Sequence, residues 1–385
     1  MIPYGKQIIS QNDIEEVVEV LKSDFLTQGP QVELFENKIK SSCNVKFASA
    51  VSSATAALHI SCIALGIKKG DFGWTSPNSF VASANCLRLC DAEVDFVDID
   101  PETWNVSIKA LKEKIFKAKK NNILPKVFIP VHFAGASCEM EEIYYICNEN
   151  KIKVIEDASH AIGGFYKNYP VGSSKFSDIS VFSFHPVKII TSAEGGMVLT
   201  NDDEINEKVK LLRTHGVTRK IDLLKKRNPE PWYYEQKTLG LNYRMNDLQA
   251  ALGKSQIDSL CDFVRVRENL AKKYIENLTG LHLQLPKINK DIKSSWHLFV
   301  VRIKDYETKI TKRELFETLR SKKIGVNVHY IPIYLHPYYQ KLNFKKNYCI
   351  EAEKYYKEAI TLPLHPSLSS NEQDYINDTL REHVV

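Results

Sequence analysis

The chain has 385 residues, 43% of them hydrophobic and 26% charged, which excludes a disordered or fibrous protein and a disulfide-stapled miniprotein. Lys plus Arg number 52 against 47 Asp plus Glu, and the charges are interspersed along the chain instead of gathered into a basic arm, so no nucleic acid partner is expected. Eight cysteines, Cys43, Cys62, Cys86, Cys90, Cys138, Cys147, Cys261 and Cys349, form no CxxC pair, MIPYGKQIIS is no signal peptide, and no apolar run approaches the ~20 residues of a membrane span; a reducing cytoplasm and no membrane partner follow as expectations.

From Lys46 to Thr200 short apolar runs alternate with helical patterns, the rhythm of an α/β domain with a parallel sheet and crossover helices. The runs predict strands over Phe47 to Val51, Glu93 to Ile99, Lys126 to Val131, Lys153 to Asp157, Ile179 to Phe184 and Gly196 to Thr200. Helical spacing predicts helices over Thr55 to Leu65, Ser107 to Lys119 and Glu139 to Asn150. The polar stretch Asp222 to Glu235 reads as a surface excursion, and a long helix follows from Asn246 to Asn277. Beyond the segment Leu285 to Lys293, the run Trp296 to Ile303, a helix from Lys312 to Ser321, the run Gly325 to Ile333 and a helix from Glu351 to Ile360 predict a smaller C-terminal domain.

Familiar ligand motifs are absent. Gly253-Lys254-Ser255 ends like a phosphate-binding loop, but Leu248 stands where its first glycine belongs. No GxGxxG follows a strand, and neither HExxH nor a paired-cysteine zinc spacing occurs, so no metal is expected. What remains lies at strand ends: Asp157 closes one strand, Ser183 and Lys188 follow another, and Ser52-Ser53-Ala54-Thr55 joins a strand to a helix start. In open α/β sheets ligands bind at such carboxyl ends, and a helix start presents free amides to an anion. A lysine amine able to form a Schiff base, a carboxylate to hold a pyridine nitrogen protonated and an anion-binding helix start together point to pyridoxal 5'-phosphate.

At these residues the sequence resembles the DegT/AHBA-synthase family of sugar aminotransferases, essentially end to end. The stretches that carry the resemblance are LTQGP, SSATAALH, TSPNSFVASAN, FVDIDPETWN, EDASHA, SFHPVKIITSAEGG, GLNYRMNDLQAALG and VHYIPIYLHPYY, in that order. It implies a fold-type I α/β enzyme: a large pyridoxal-phosphate domain over residues 1–254 with a mostly parallel sheet between helices, and a smaller α+β domain over 255–385 that includes the connecting helix. The N-terminal segment could pack on that smaller domain.

The resemblance further implies that Lys188 carries the cofactor and shuttles the proton, that Asp157 pairs with the pyridine nitrogen, and that Phe80 stacks on the ring. Ser183 and the amides of Ala54 and Thr55 would bind the phosphate, and His160, where many relatives carry glutamine, would contact the phenolic oxygen. Asn242 would reach the phosphate of the neighbouring subunit's cofactor, which implies a homodimer with shared active sites. Tyr4, Leu26, Thr27, Gln28, Gly29, Ser53, Val328, His329, Tyr330 and Ile331 match positions where relatives hold the nucleotide sugar. TSPNSFVASANC, SFHPVK and VHYIPIY resemble the pseudaminic acid branch, which implies L-glutamate as donor and C4 of a UDP-linked 4-keto-6-deoxy amino sugar as acceptor.

Alternatives are a C4 or C3 aminotransferase for another nucleotide-linked keto sugar, a pyridoxal phosphate sugar dehydratase, which would carry histidine at the place of Lys188, and a silent nucleotide-sugar binder. Residue by residue, plainer roles compete. An isolated Asp157 could cap a helix, and Phe80 could be core. Cys86 and Cys90, one helical turn apart, read as small buried hydrophobes. Trp232-Tyr233-Tyr234 reads as a loop anchor ahead of a nucleotide contact.

Overall fold

The computed structural model describes residues 1–304 and 308–384. Its central sheet holds β1 (Phe47–Val51), β2 (Phe72–Thr75), β3 (Glu93–Phe96), β4 (Val127–Ile129), β5 (Lys153–Asp157), β6 (Ile179–Ser183) and β7 (Gly196–Thr200). The strand order is β1-β7-β6-β5-β4-β2-β3, and β7 alone runs antiparallel to its neighbours. A parallel sheet must be covered on both faces. Hence β6 and β7 are buried at every position, and successive residues go to opposite sides: Val181 and Val198 enter one core, Phe182, Met197 and Leu199 the other.

The covering helices of this part are α1 (Gln11–Lys22), α2 (Pro30–Cys43), α3 (Ala54–Ala64), α4 (Ala82–Arg88), α5 (Ile108–Lys120), α6 (Met140–Glu149), α7 (Asp203–Leu212) and α8 (Asp247–Gln256). On one face Leu58 and Cys62 of α3 and Val209 of α7 pack with Val181 and Val198. On the other, Phe35 and Ile39 of α2 and Ala250 of α8 pack with Phe182 and Leu199.

A second sheet, β8 (Leu283–Gln284), β9 (Phe299–Ile303) and β10 (Ala359–Leu362), is antiparallel with β9 in the middle. The remaining helices are α9 (Leu260–Leu278), α10 (Lys312–Ser321), the short α11 (Pro337–Gln340), α12 (Ile350–Glu358) and α13 (Ser370–His383). Tyr274 of α9, Phe299 of β9, Leu315 of α10 and Ile376 of α13 share a separate core. The N-terminus joins this part: Ile2 bridges Ile324, and the Leu364 amide donates to the Tyr4 carbonyl at 3.0 Å. No described helix is long and apolar enough to cross a membrane.

Arg267 ties α9 to the rest. It is 1% exposed, and its guanidinium donates to the carbonyls of Trp296, His297 and Leu364 at 3.3, 3.2 and 2.8 Å, while burial pulls its pKa down to about 10. Arg267→Ala strands three carbonyls, two of them beside His297. It is expected to lower unfolding free energy by roughly 3–5 kcal/mol, read as a reduced urea midpoint at unchanged slope. An unchanged midpoint would refute this account of the residue.

Several predicted elements differ. The expected long helix from Asn246 is interrupted by a 3-10 turn over Ile257–Ser259, so α8 and α9 are separate. Gly325 to Ile333 is not a strand: its backbone makes one isolated bridge to the sheet, Asn327 to Thr361, and it turns into a 3-10 helix over Ile333–Leu335. The Trp296 run becomes strand only at Phe299, and Glu93 to Ile99 stops at Phe96. The Lys126 to Val131 run narrows to Val127–Ile129, and the Glu351 helix ends at Glu358 and gives way to β10. Trp232 does not anchor its loop, being 73% exposed.

Candidate active site

Strand register assembles the site. Asp157 pairs with Val181; two residues on, Ser183 pairs with Gly196, and Gly196 also pairs with Val51. Because β7 runs backwards, its first residue lies on the same rim as the last residues of β1 and β6. A Cβ at Gly196 would come within 2.5 Å of the Ser53 carbonyl oxygen and 2.7 Å of the Ala54 nitrogen, so only glycine lets β7 meet the start of α3 this closely. The Ser53 hydroxyl caps α3 by accepting from the Ala56 amide at 3.1 Å, which leaves the preceding amides of Ala54 and Thr55 at the rim beside Ser183.

Asp157 is 4% exposed, and both its oxygens are held. Ser83 donates to Oδ2 at 2.6 Å, and Ser159 donates to Oδ1 through its hydroxyl at 2.6 Å and its amide at 3.2 Å. Ser79 lies 2.7 Å from the Ser83 hydroxyl and completes the chain. These donors fix the direction of the carboxylate. Sequence reasoning did not find these serines as site residues. Ser159 was legible within EDASHA, whereas Ser83 arrives from α4 through tertiary packing.

Lys188 is partly buried after β6, its amide bonded to the His185 carbonyl at 2.9 Å. Burial lowers its amine to about 8, and the Asp157 carboxylate opposes the shift. His160 is 5% exposed; its Nε2 lies 3.2 Å from the Tyr330 hydroxyl, its Nδ1 has no hydrogen-bond partner, and its ring centroid is 4.4 Å from that of His297. Burial first, then the Lys188 charge, holds His160 well below the usual histidine range. His297, whose Nδ1 is likewise unpartnered, is held down by burial and then by His160. His329 falls to about 3 through burial and Lys188, and its Nδ1 lies 2.8 Å from the Thr361 hydroxyl. Burial raises the Tyr330 hydroxyl, with smaller contributions from Tyr4 and Asp157.

Lys188, Asp157, His160, His329 and Tyr330 thus form one cluster of neutral rings around an amine and a carboxylate. Phe80 is not core: it is 60% exposed, its ring 6.5 Å from that of Tyr330, and it stands two residues before α4, which carries Ser83. Tyr4 joins from the N-terminus, its ring 5.4 Å from His329. Val328 is partly buried and Ile331 is 39% exposed beside them.

Two further predicted groups are placed by other contacts. The Leu26 to Gly29 turn, with Thr27 and Gln28 exposed, is fastened to the start of α8: the Asp247 amide donates to the Leu26 carbonyl and the Gly29 amide to Asp247 Oδ1, both at 3.1 Å. Asn242 is exposed, in a segment whose Tyr243 carbonyl accepts from the Ser52 amide at 2.8 Å. Among the described residues no group of His, Cys, Asp or Glu could hold a metal ion.

These residues fit a phosphate-bearing pyridine aldehyde. The two unpartnered imidazole nitrogens and the Gly196 cradle flank an acid, an amine and an anion-binding helix start. Fold and site together define a fold-type I pyridoxal phosphate enzyme. Residues 7–381 match the DegT/DnrJ/EryC1/StrS aminotransferase family, and the chain belongs to it. It is 36% identical over 381 residues to the UDP-4-amino-4,6-dideoxy-N-acetyl-beta-L-altrosamine transaminase of Campylobacter jejuni, covering 99% of this chain and 96% of that one. Helicobacter pylori PseC, an aminotransferase involved in the biosynthesis of pseudoaminic acid, superposes with a TM-score of 0.89 at 34% identity over 100% of this chain and 99% of its own. The PLP form of a sugar aminotransferase from Streptococcus pneumoniae, Spr1654, gives 0.89 at 26% identity, covering 99% and 98%. The chain is a pyridoxal-phosphate-dependent sugar transaminase.

Proposed function

We propose that this enzyme transfers the amino group of L-glutamate to C4 of UDP-2-acetamido-2,6-dideoxy-β-L-arabino-hex-4-ulose, giving UDP-4-amino-4,6-dideoxy-N-acetyl-β-L-altrosamine for pseudaminic acid biosynthesis. The observation that carries the chemistry is the Lys188 amine, drawn down to about 8, beside a carboxylate fixed at both oxygens. The choice of sugar draws on the full-length likeness to the Campylobacter jejuni and Helicobacter pylori proteins.

Pyridoxal phosphate, when bound, supplies an electron sink that stabilises negative charge at the amino-bearing carbon. Lys188 Nζ, neutral in a large fraction of molecules near pH 8, takes the α-proton of glutamate and later returns a proton to sugar C4. Asp157 keeps the ring nitrogen protonated, with Ser83 and Ser159 aiming its carboxylate. The Ala54 and Thr55 amides and the Ser183 hydroxyl bind the phosphate, Phe80 covers the ring and His160 contacts its phenolic oxygen. Tyr4, the Leu26 to Gly29 turn, Ser53 and Val328 to Ile331 hold the nucleotide sugar. Asn242 reaches the partner subunit's phosphate, so the working unit is a homodimer. The enzyme acts in the cytoplasm, and its large domain spans residues 1–254 with the small domain following.

Purified enzyme supplied with glutamate labelled with nitrogen-15 at the amine is expected to place the label at C4 of the L-arabino 4-ketose, read by mass spectrometry and NMR. Label incorporated only into a D-xylo 4-ketose keeps the chemistry and overturns the substrate. No label in any 4-keto sugar overturns both.

A further inference from the structure

A buried polar network that the transamination steps leave unused adjoins Asp157 in the chain. Glu156 directly precedes it on β5, so the two side chains leave the strand on opposite faces. Glu156 is 5% exposed, and both its oxygens are engaged: Oε2 lies 2.9 Å from His132 Nε2, and Oε1 accepts from the Ser177 hydroxyl at 2.5 Å. His132 is fully buried, and its Nδ1 accepts the Cys138 amide at 3.2 Å, so Nε2 carries the hydrogen that Glu156 takes. A carboxylate this deep is costly without such donors, which keeps the three side chains together.

The same histidine grips Asp157 through its backbone. Val131 bridges Asp157 in parallel; the His132 amide donates to the Asp157 carbonyl at 3.1 Å, and the Asp157 amide donates to the Pro130 carbonyl at 2.9 Å. On its other side Asp157 pairs with Val181 of β6, and Ser177 stands two residues before that strand. Glu156 therefore joins the segments on both flanks of its strand, His132 from one and Ser177 from the other. The next residue after the histidine, Phe133, has its amide held by Asn105 Oδ1 at 2.9 Å and its ring 6.3 Å from that of His160.

We propose that His132 and Glu156 are positioning residues for Asp157, their buried hydrogen bond fixing the strand end from which its carboxylate meets the cofactor's ring nitrogen. This rests on the reading of Asp157 as the partner of that nitrogen. Ser83 and Ser159 aim the carboxylate from its own side, but a side chain is aimed no better than the backbone that carries it. A hydrogen bond to the ring weakens with small displacements, and a misplacement of about 1 Å can cost about 10²-fold in rate. His132 and Glu156 act only through Asp157.

Glu156→Leu removes the clamp, Glu156→Gln keeps an acceptor for His132, and Asp157→Asn is the control. Each variant, shown folded by circular dichroism, is loaded with pyridoxal phosphate labelled with nitrogen-15 in the ring, and NMR reads the protonation of that nitrogen. Glu156→Leu is expected to move the resonance part of the way towards the unprotonated form and to lower kcat of both half-reactions about 10-fold to 100-fold, with KM changed less than about threefold. Glu156→Gln should stay near wild type in both readouts. If Glu156→Leu does not fold, Ser177→Ala, which frees one carboxylate oxygen, should show the same two changes at smaller size. A folded Glu156→Leu, or in its place Ser177→Ala, that lacks either change overturns the proposal, and so does a Glu156→Gln as impaired as Glu156→Leu. An unmoved resonance in Asp157→Asn overturns instead the reading of Asp157 itself.

Discussion

Lys188→Ala is expected to lower kcat by at least about 10⁴-fold, since it removes both the attachment amine and the proton carrier. Stability should change little in the opposite direction, because the residue's burial disfavours its own charged form. The sign follows from linkage. The folded-state pKa of about 8 lies below the ordinary lysine value, so at pH below 8 both states are protonated and the folded one bears the full desolvation cost. That cost fades as pH rises from about 8 towards the unfolded value of about 10.4. Cofactor-free enzyme should therefore lose an amine-directed acylation at Lys188 with a midpoint near pH 8 as pH falls. Asp157→Ala, which removes the opposing carboxylate, should move that midpoint lower. A midpoint at the ordinary lysine value, or undiminished turnover in Lys188→Ala, would refute the assignment.

Asp157→Ala is expected to cost about 10²–10⁴-fold in kcat for both half-reactions, with KM for glutamate and for the sugar changed far less. Both half-reactions suffer because each needs the same protonated ring nitrogen. Removing one of the two hydroxyls that hold the carboxylate should be milder: Ser83→Ala leaves Oδ1 still bonded to Ser159, and Ser83→Thr should recover most of the loss. Stopped-flow measurement of each half-reaction reads this directly. A defect confined to the sugar half would place Asp157 in sugar binding instead.

The sequence was informative wherever one stretch contained its own signal. Fully buried strands such as Ile179–Ser183 stand out as apolar runs between polar turns, and Asp157 and Lys188 follow such runs directly. Phe72–Thr75 went unseen, since four residues containing Gly73 give no periodicity. Helices α1 and α13 were missed although Ser10 with Asp13 and Ser369 with Glu372 form capping boxes that mark their starts. The site's supporting contacts were less legible still. Ser83 meets Asp157, and His297 meets His160, across long stretches of chain, and nothing in the local pattern of either partner announces the other. The fold class came from periodicity, the site residues from strand ends and family resemblance, and the second layer around Asp157 only from packing.

The reversed strand β7 also dictates an order of events during synthesis. β1 sits at the sheet edge and among the described residues pairs with no strand but β7, so Phe47 has to wait for Thr200 before its ladder can close. Until the ribosome has delivered half the protein, Phe47–Val51 is an unpaired and mostly apolar edge, and such edges invite pairing with other chains. The anion-binding corner at Ser53 is built on that same late pairing through Gly196. A nascent chain released before Thr200 would therefore carry β1 exposed and no cofactor pocket, which makes early truncation a route to aggregation rather than to a partly active fragment.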